Sequence, residues 1–473
     1  MDRKFLGLCV LFLILGIVVI RIYSSYGVGW DFTAHYLGGK AILTSGFFDA
    51  LRNARITNST SVNFGIVATK DVYFEFYRAP LSMLAFAGFY PLLGHQSAIA
   101  YLVLMVVLLF IATLYVSDSF GMDSVLVGSL IVLPYIVIFP LIVNSEELLS
   151  LSLLIISIAL LKKGKWEAGI FLGLACLSKY TLFIFIPLLL LNGGRKRIVY
   201  SYLAFALVTL PWIAFNYAAF GNPLYSYISS LRVSLESSPA SSISLSALGA
   251  ILAGFVPAIA IALAMYLKSM RSSAPHLIKG LKGLLNFRPG DTFQILLLFV
   301  LLSATEFVIF GFHEAYFDQA RYGYPLFASV ALLLAFLITS MAMRQNGIYR
   351  NLPTYLLCAF SIISMLAVFA LVGSNYTSTM PGSTNPAFAA SVAEIRGLNL
   401  SSCSFVSNDW VFLRYYNITA FSPFNYNSTI SGYPSVVFYG LGPNSTAVRI
   451  HGGEANYSTK NFSIYVPANY TCK

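Results

Sequence analysis

Gly29-Trp30-Asp31-Phe32, a few residues beyond the apolar segment Phe5–Ile20, decides how the rest of the chain is read. The apolar segment follows Arg3 and Lys4 and has no small-residue cleavage site after it, so it reads as a retained signal anchor that crosses a membrane. Asp31 then falls at the outer membrane surface, and an amphipathic stretch follows it. A carboxylate so close to lipid costs free energy unless it is paired or used. Chemistry at the interface would use it. Capping a helix that starts near Phe32 would also account for it.

The 473 residues are 58% hydrophobic and only 10% charged, with a mean hydropathy of +0.77. Such a composition excludes a soluble globular protein and specifies an α-helical polytopic membrane protein. In a soluble domain the net charge of +11 would suggest nucleic acid; here it is a topology signal. Basic residues cluster at Arg3-Lys4, Lys162 to Lys165, Arg195 to Arg197, Lys268 to Arg288 and Arg344 to Arg350. The nine Asn-x-Ser/Thr sequons avoid every one of these clusters: Asn58 stands alone, and Asn375, Asn399, Asn417, Asn427, Asn444, Asn456, Asn461 and Asn469 follow the last apolar run. Each is an N-glycosylation candidate if exported.

With basic clusters cytoplasmic and sequons outside, one simple threading remains, with a cytoplasmic N-terminus and an extracytoplasmic C-terminus. It has about 11 transmembrane helices, near 5–22, 97–116, 124–143, 147–161, 166–178, 180–192, 198–217, 244–267, 291–312, 324–343 and 353–373. Residues 79–94 become a re-entrant or interfacial helix within a first outer loop, 23–96. The spans 166–178 and 180–192 are short for a bilayer and form a hairpin, with Ser178-Lys179-Tyr180 at its tip inside a cavity. The serine-rich stretch 229–246 reads as a flexible outer loop.

Residues 1–373 are expected to form the membrane domain and 374–473 a small C-terminal α/β extracytoplasmic domain. Helices are expected over 387–397 and 410–416, and strands over 404–406 and 435–439. Cys9, Cys176 and Cys358 lie in apolar spans and read as packing residues. Cys403 and Cys472 lie in the exported tail, where one disulfide is permitted.

The threading brings Asp31, His35, Lys40, Glu75, Arg78, Glu146, Glu147, Lys179, His313, Glu314, Asp318 and Arg321 to the outer level from distant parts of the chain. A shared polar cavity is the economical explanation. Some have plainer uses: Glu75 with Arg78 as a surface ion pair, Glu146 or Glu147 as first-turn charge on a helix, Arg321 with Asp318 alone. Lys179, at the tip of two apolar helices, needs an anion or a carbonyl cage. No His/Asp spacing resembles a zinc site, so no metal is expected, and no nucleotide-binding or hydrolase motif is present.

The chain resembles the GT-C superfamily of integral-membrane glycosyltransferases, which includes protein mannosyltransferases and aminoarabinose transferases. Five local matches carry the resemblance: Trp30-Asp31 after the first span; Phe76-Tyr77-Arg78-Ala79-Pro80 leading into an interfacial helix; Ser145-Glu146; Gly173 to Lys179; and Arg321 to Pro325. It implies a polyprenyl- or dolichyl-phosphate sugar donor, a hexose such as mannose, a glycan, lipid or protein acceptor, and no other cofactor. The chemistry needs a base for the acceptor hydroxyl and cations for the departing phosphate. Asp31 suits the first role. Lys179, Arg321 and Arg78 suit the second, with Glu75, Glu146, His313, Tyr180 and Tyr322 around the substrate. A single base permits inversion at the anomeric carbon. A secondary transporter or lipid flippase would also carry intramembrane charge and broken helices, but no internal repeat accompanies them here.

Overall fold

A computed structural model describes residues 3–26, 29–56, 66–68, 73–142, 147–236, 255–273, 291–311, 322–343, 351–372, 386–400, 403–407, 410–421, 436–441, 457–458 and 462–465. Wherever they are described, all the expected spans are helical. The helices are α1 (Arg3–Tyr26), α2 (Trp30–Ile56), α3 (Pro80–Leu93), α4 (Ser97–Phe120), α5 (Ser124–Ile142), α6 (Glu147–Lys162), α7 (Ala168–Ser178), α8 (Arg195–Phe220), α9 (Tyr225–Glu236), α10 (Val256–Ser273), α11 (Thr292–Glu306), α12 (Tyr324–Ala342), α13 (Leu352–Val372), α14 (Pro386–Gly397) and α15 (Trp410–Tyr415). Among the described residues, six helices are long and apolar enough to cross a membrane by themselves.

The bundle is organised around α6, in which every residue from Glu147 to Leu161 is buried. A helix that is apolar on all sides belongs inside a bundle, and α6 packs against α4, α7 and α12. Outer helices bury one face and turn the other outward. Leu203, Leu207 and Leu210 on α8 are 59%, 73% and 56% exposed, as a lipid-facing surface requires. Ion pairs close one end of the bundle: Lys4 with Asp123 at 2.8 Å, and Lys163 with Asp118 at 2.7 Å.

The expected span 180–192 departs from an α-helix. Tyr180–Leu191 is a 3-10 helix containing Pro187. Proline lacks an N–H for the α ladder, and at about 2.0 Å per residue the twelve residues reach about 24 Å, against about 18 Å as an α-helix. The tighter winding lengthens a segment that is short in residues. The serine-rich stretch also differs from expectation: its first half, through Glu236, belongs to α9. Ser226 explains part of this order, because its hydroxyl and backbone N–H both donate to Asn216 Oδ1 on α8. Residues 237–246 lie outside the described region.

The first loop is more ordered than its sequence suggests. It holds the 27-residue helix α2, an antiparallel strand pair, β1 (Ile66–Ala68) with β2 (Tyr73–Glu75), and the expected interfacial helix as α3. Gly38 and Gly39 let α2 lie directly on α3. A Cβ on Gly39 would sit 2.6 Å from Phe86 Cβ and 2.8 Å from the Met83 carbonyl oxygen, closer than a side chain tolerates. Beside this contact Phe32, Phe86 and Tyr101 join α2, α3 and α4, with ring centroids 5.0 Å and 4.4 Å apart along the chain of three.

Towards the C-terminus β3 (Ser404–Val406), β4 (Ala420–Phe421), β5 (Val436–Leu441), β6 (Tyr457–Ser458) and β7 (Phe462–Tyr465) form one sheet in the order β4-β3-β5-β7-β6. The β3 pairings are parallel and those of β7 antiparallel. The helix α15 docks on α2: the Tyr36 and Tyr415 rings are 5.1 Å apart, and Lys40 Nζ donates to Asn417 Oδ1 at 2.7 Å. Burial and neighbouring phenols (Tyr90 for Tyr36, Tyr23 for Tyr415) hold both hydroxyls protonated above the usual tyrosine range.

Candidate active site

At the start of α2 the Gly29 carbonyl accepts from both the backbone N–H and the hydroxyl of Thr33, at 3.0 and 2.8 Å. Gly29 therefore opens the helical ladder, and Asp31 sits within the first turn, where the helix dipole favours a carboxylate. Asp31 also has a partner from another element: its Oδ1 lies 2.7 Å from Arg78 Nη2. The Arg78 Nε donates to the Glu75 carboxylate. A tight turn makes this geometry, with the Arg78 N–H bonded to the Glu75 carbonyl at 3.2 Å. Glu75 is 1% exposed and the Arg78 side chain 10%, so this is a buried triad of two carboxylates and one guanidinium rather than a surface pair. The planar guanidinium fork lets one cation hold both acids.

Tyr77 belongs to the same turn. Burial, together with the Glu75 and Asp31 carboxylates, keeps its phenol protonated well above the usual range despite the opposing Arg78 charge. His35, one turn along α2, is buried, with Nδ1 2.7 Å from the Asp31 carbonyl oxygen, so it contacts that residue's backbone.

Lys179 sits where α7 ends and the 3-10 segment begins, in an extended conformation (φ −152°, ψ 119°). It is 5% exposed. Its Nζ lies 3.1 Å from Glu147 Oε1 and over the rings of Tyr322 and Tyr324, at 4.5 and 4.7 Å from their centroids. A carboxylate and two π faces form the cage that a buried ammonium needs. Tyr324 is itself fixed by Ser150 of α6, its hydroxyl 2.8 Å from Ser150 Oγ.

The neighbours of Lys179 tie this cage to other elements. The Tyr180 hydroxyl donates to the Arg78 carbonyl at 3.2 Å and accepts from Trp212 Nε1 at 2.6 Å. Thr181 Oγ1 donates to Glu306 Oε1 at 2.6 Å. Tyr180 thereby links the turn that carries Glu75 and Arg78 to the segment that follows Lys179, through the Arg78 backbone carbonyl. Arg321, Glu146, His313, Glu314 and Asp318 lie outside the described residues, although Tyr322, next to Arg321, touches Lys179.

In the sequence Glu147 stands among the outer-level charges, with first-turn charge as its plainer use, and Glu306 is not singled out. Glu147 is in the first turn of α6, and it is also the counter-ion of Lys179. Glu306 is fully buried at the end of an otherwise uncharged helix. The cost of a carboxylate in lipid, which singled out Asp31, applies equally to it. The π-helical turn Phe307–Gly311 that follows is a feature found often at functional sites.

Among the described residues no group of three or more His, Cys, Asp or Glu side chains is arranged to hold a metal ion. Cys403 is disulfide-bonded, while Cys9, Cys176 and Cys358 are free thiols. Cys472, Asn58 and the sequons other than Asn399 and Asn417 lie outside the described residues.

No family model matches the chain by sequence, and no curated protein does. Its structure resembles the crystal structure of ArnT from Cupriavidus metallidurans in the apo state, with a TM-score of 0.57 and 12% identity over 97% of each chain. A likeness that spans both chains almost completely shows that the two share one polytopic fold.

Proposed function

We propose that this chain is a membrane glycosyltransferase of the GT-C type that moves a sugar, a hexose such as mannose, from a polyprenyl- or dolichyl-phosphate donor to an extracytoplasmic acceptor. The observation that carries this reading is the Asp31–Arg78 pair at 2.7 Å, linked through Tyr180 to the buried Lys179 in an ArnT-like fold. A carboxylate able to take a proton thus lies beside a cation able to receive phosphate.

In this mechanism the donor phosphate takes up part of the Arg78 fork and the Lys179 ammonium, with Arg321 as a further cation. Arg78 then releases its hold on Asp31, and the carboxylate regains basicity. The acceptor hydroxyl gives its proton to Asp31 while its oxygen bonds to the anomeric carbon. The bond from that carbon to the phosphate oxygen breaks, and its electron pair leaves with the lipid phosphate. One displacement inverts the anomeric centre. Glu75, Glu146, His313, Tyr180 and Tyr322 line the substrate in this reading, and α3 shields the bond from water.

The wider organisation belongs to the same proposal: a membrane domain over residues 1–373, an extracytoplasmic domain over 374–473, a cytoplasmic N-terminus, and glycosylation of exported sequons. The test is transfer of radiolabelled sugar from a polyprenyl-phosphate donor in membranes containing the protein. Transfer that is lost in Lys179→Ala supports the reading. Absence of transfer from any polyprenyl-phosphate sugar, with an intact fold, overturns it.

A further inference from the structure

Lys179 interrupts a helical path, and an interruption has no continuous ladder to hold its angles. Its backbone bonds are local: its N–H to the Ala175 carbonyl at 3.0 Å, and its carbonyl from the Leu182 N–H at 3.2 Å. A rotation at this one extended residue would swing the ammonium out of its cage. The next two residues carry the pins that oppose such a rotation. Tyr180 ties one side to Arg78 and Trp212. Thr181 ties the other to Glu306, the last residue of α11 before the π-helical turn.

From this geometry we propose that Glu306 is a positioning residue for Lys179, acting through its hydrogen bond with Thr181. The inference rests on the glycosyltransferase reading for the role of Lys179. A hydroxyl donating to a fully buried side-chain oxygen at 2.6 Å is a short hydrogen bond in a low-dielectric setting. It joins the hairpin tip to α11, which packs along the 3-10 segment. The rival use of Glu306 is direct contact with substrate through Oε2, which has no hydrogen-bond partner among the described residues. The two uses respond differently to substitution. A brace needs an acceptor on residue 306 and a hydroxyl on residue 181. Direct contact is indifferent to residue 181.

The test uses the full-length protein in detergent or nanodiscs. It measures binding of unglycosylated polyprenyl phosphate, then donor KM and kcat, in Glu306→Ala, Glu306→Gln, Thr181→Val and Thr181→Ser. Thr181→Val and Glu306→Ala are expected to weaken phosphate binding and raise donor KM by roughly tenfold, the fold-change of one lost buried hydrogen bond. At saturating donor, kcat is expected to fall as well, because a displaced Lys179 stabilises the departing phosphate less. Glu306→Gln and Thr181→Ser, which keep acceptor and hydroxyl, stay near wild type. The double variant Thr181→Val/Glu306→Ala loses no more than either single one. If Glu306→Ala fails to fold, the Thr181 pair carries the test alone. Wild-type binding in Thr181→Val overturns the brace, as does a Glu306→Gln as impaired as Glu306→Ala. A wild-type protein that binds no polyprenyl phosphate overturns the glycosyltransferase reading and this inference with it; binding that the variants leave unchanged overturns the inference alone.

Discussion

Tyr180 donates its hydroxyl to the carbonyl oxygen of Arg78 at 3.2 Å, across 102 positions of sequence. The bond joins the tip of the broken helix to the turn that leads into α3, tying the backbone of Arg78 to the residue after Lys179. Trp212 supports the same hydroxyl from α8.

Tyr180→Phe removes this link and keeps the ring, which packs near Phe183 and Tyr227. One neutral hydrogen bond contributes about 1 kcal/mol net, so sugar transfer is expected to fall about fivefold while the thermal midpoint moves by only a few degrees. Trp212→Phe should act in the same direction and more weakly. The checks are kcat/KM with a polyprenyl-phosphate sugar and a melting curve on the same preparation. Wild-type transfer in both variants would remove Tyr180 from the site.

Asp31→Asn separates base from first-turn residue. Asparagine preserves the shape and a hydrogen bond to Arg78, and loses the proton acceptor. Loss of a general base costs about 10²–10⁴ in rate, while donor affinity stays within a few-fold because the phosphate cations remain. A transfer rate at wild-type level would pass the role of base to Glu75, the other acid held by Arg78.

Much of the fold was legible because lipid imposes a simple rule. Apolar runs must form helices there, and basic clusters mark their ends, so α1, α4, α11, α12 and α13 begin or end within a few residues of expectation. Asp31, Arg78 and Lys179 were legible for the complementary reason that charge in lipid must be compensated. The Glu75–Arg78 pair was legible too, from its i,i+3 spacing, but the partners from distant elements were not. Which carboxylate meets which cation depends on packing between distant elements: Glu147 and Lys179 are 32 residues apart, and Thr181 and Glu306 125 apart. The strand-rich tail was legible only locally. Single strands of β3 and β5 follow from β-branched and aromatic runs, but the parallel register between Ser404 and Val436 does not.

Lys179 and Glu147 allow stability to be separated from binding. Lys179→Ala leaves Glu147 buried without its counter-ion, a change that costs about 3–5 kcal/mol in buried pairs. The double variant Lys179→Met/Glu147→Gln removes both charges at similar volume and is expected to recover most of the lost thermal midpoint. Donor binding should not recover with it. A double variant that regains both would show that Lys179 is structural.

The tail offers a covalent check. With Cys403 disulfide-bonded and Cys9, Cys176 and Cys358 free, the fifth cysteine, Cys472, is the partner we propose. A bridge closing a loop this long stabilises by about 4 kcal/mol in the chain-entropy model. Peptide mapping of protein purified without reductant should recover a 403–472 cross-link, and reduction should lower the melting point of the tail before that of the helices. Recovery of Cys472 as a free thiol would refute the pairing.

The proposed orientation in the membrane makes a testable distinction between the two ends of the bundle. Lys4–Asp123 and Lys163–Asp118 lie at the ends of helices remote from Asp31, Arg78 and Lys179, together with the basic start of α8. Basic loops are retained in the cytoplasm, and exported sequons lie on the other side of the same threading. A single cysteine at position 163, in a chain whose free thiols Cys9, Cys176 and Cys358 have been replaced, is therefore expected to resist an impermeant maleimide on intact cells and to react after permeabilisation. A cysteine at Lys40, beside the exposed Asn417, is expected to react in both conditions. Lys163 makes a suitable probe because its pair with Asp118 is largely solvent-exposed, so its replacement costs little stability. Labelling of position 163 from outside would invert the topology and place the Asp31–Arg78 pair on the cytoplasmic face, where an extracytoplasmic acceptor cannot reach it.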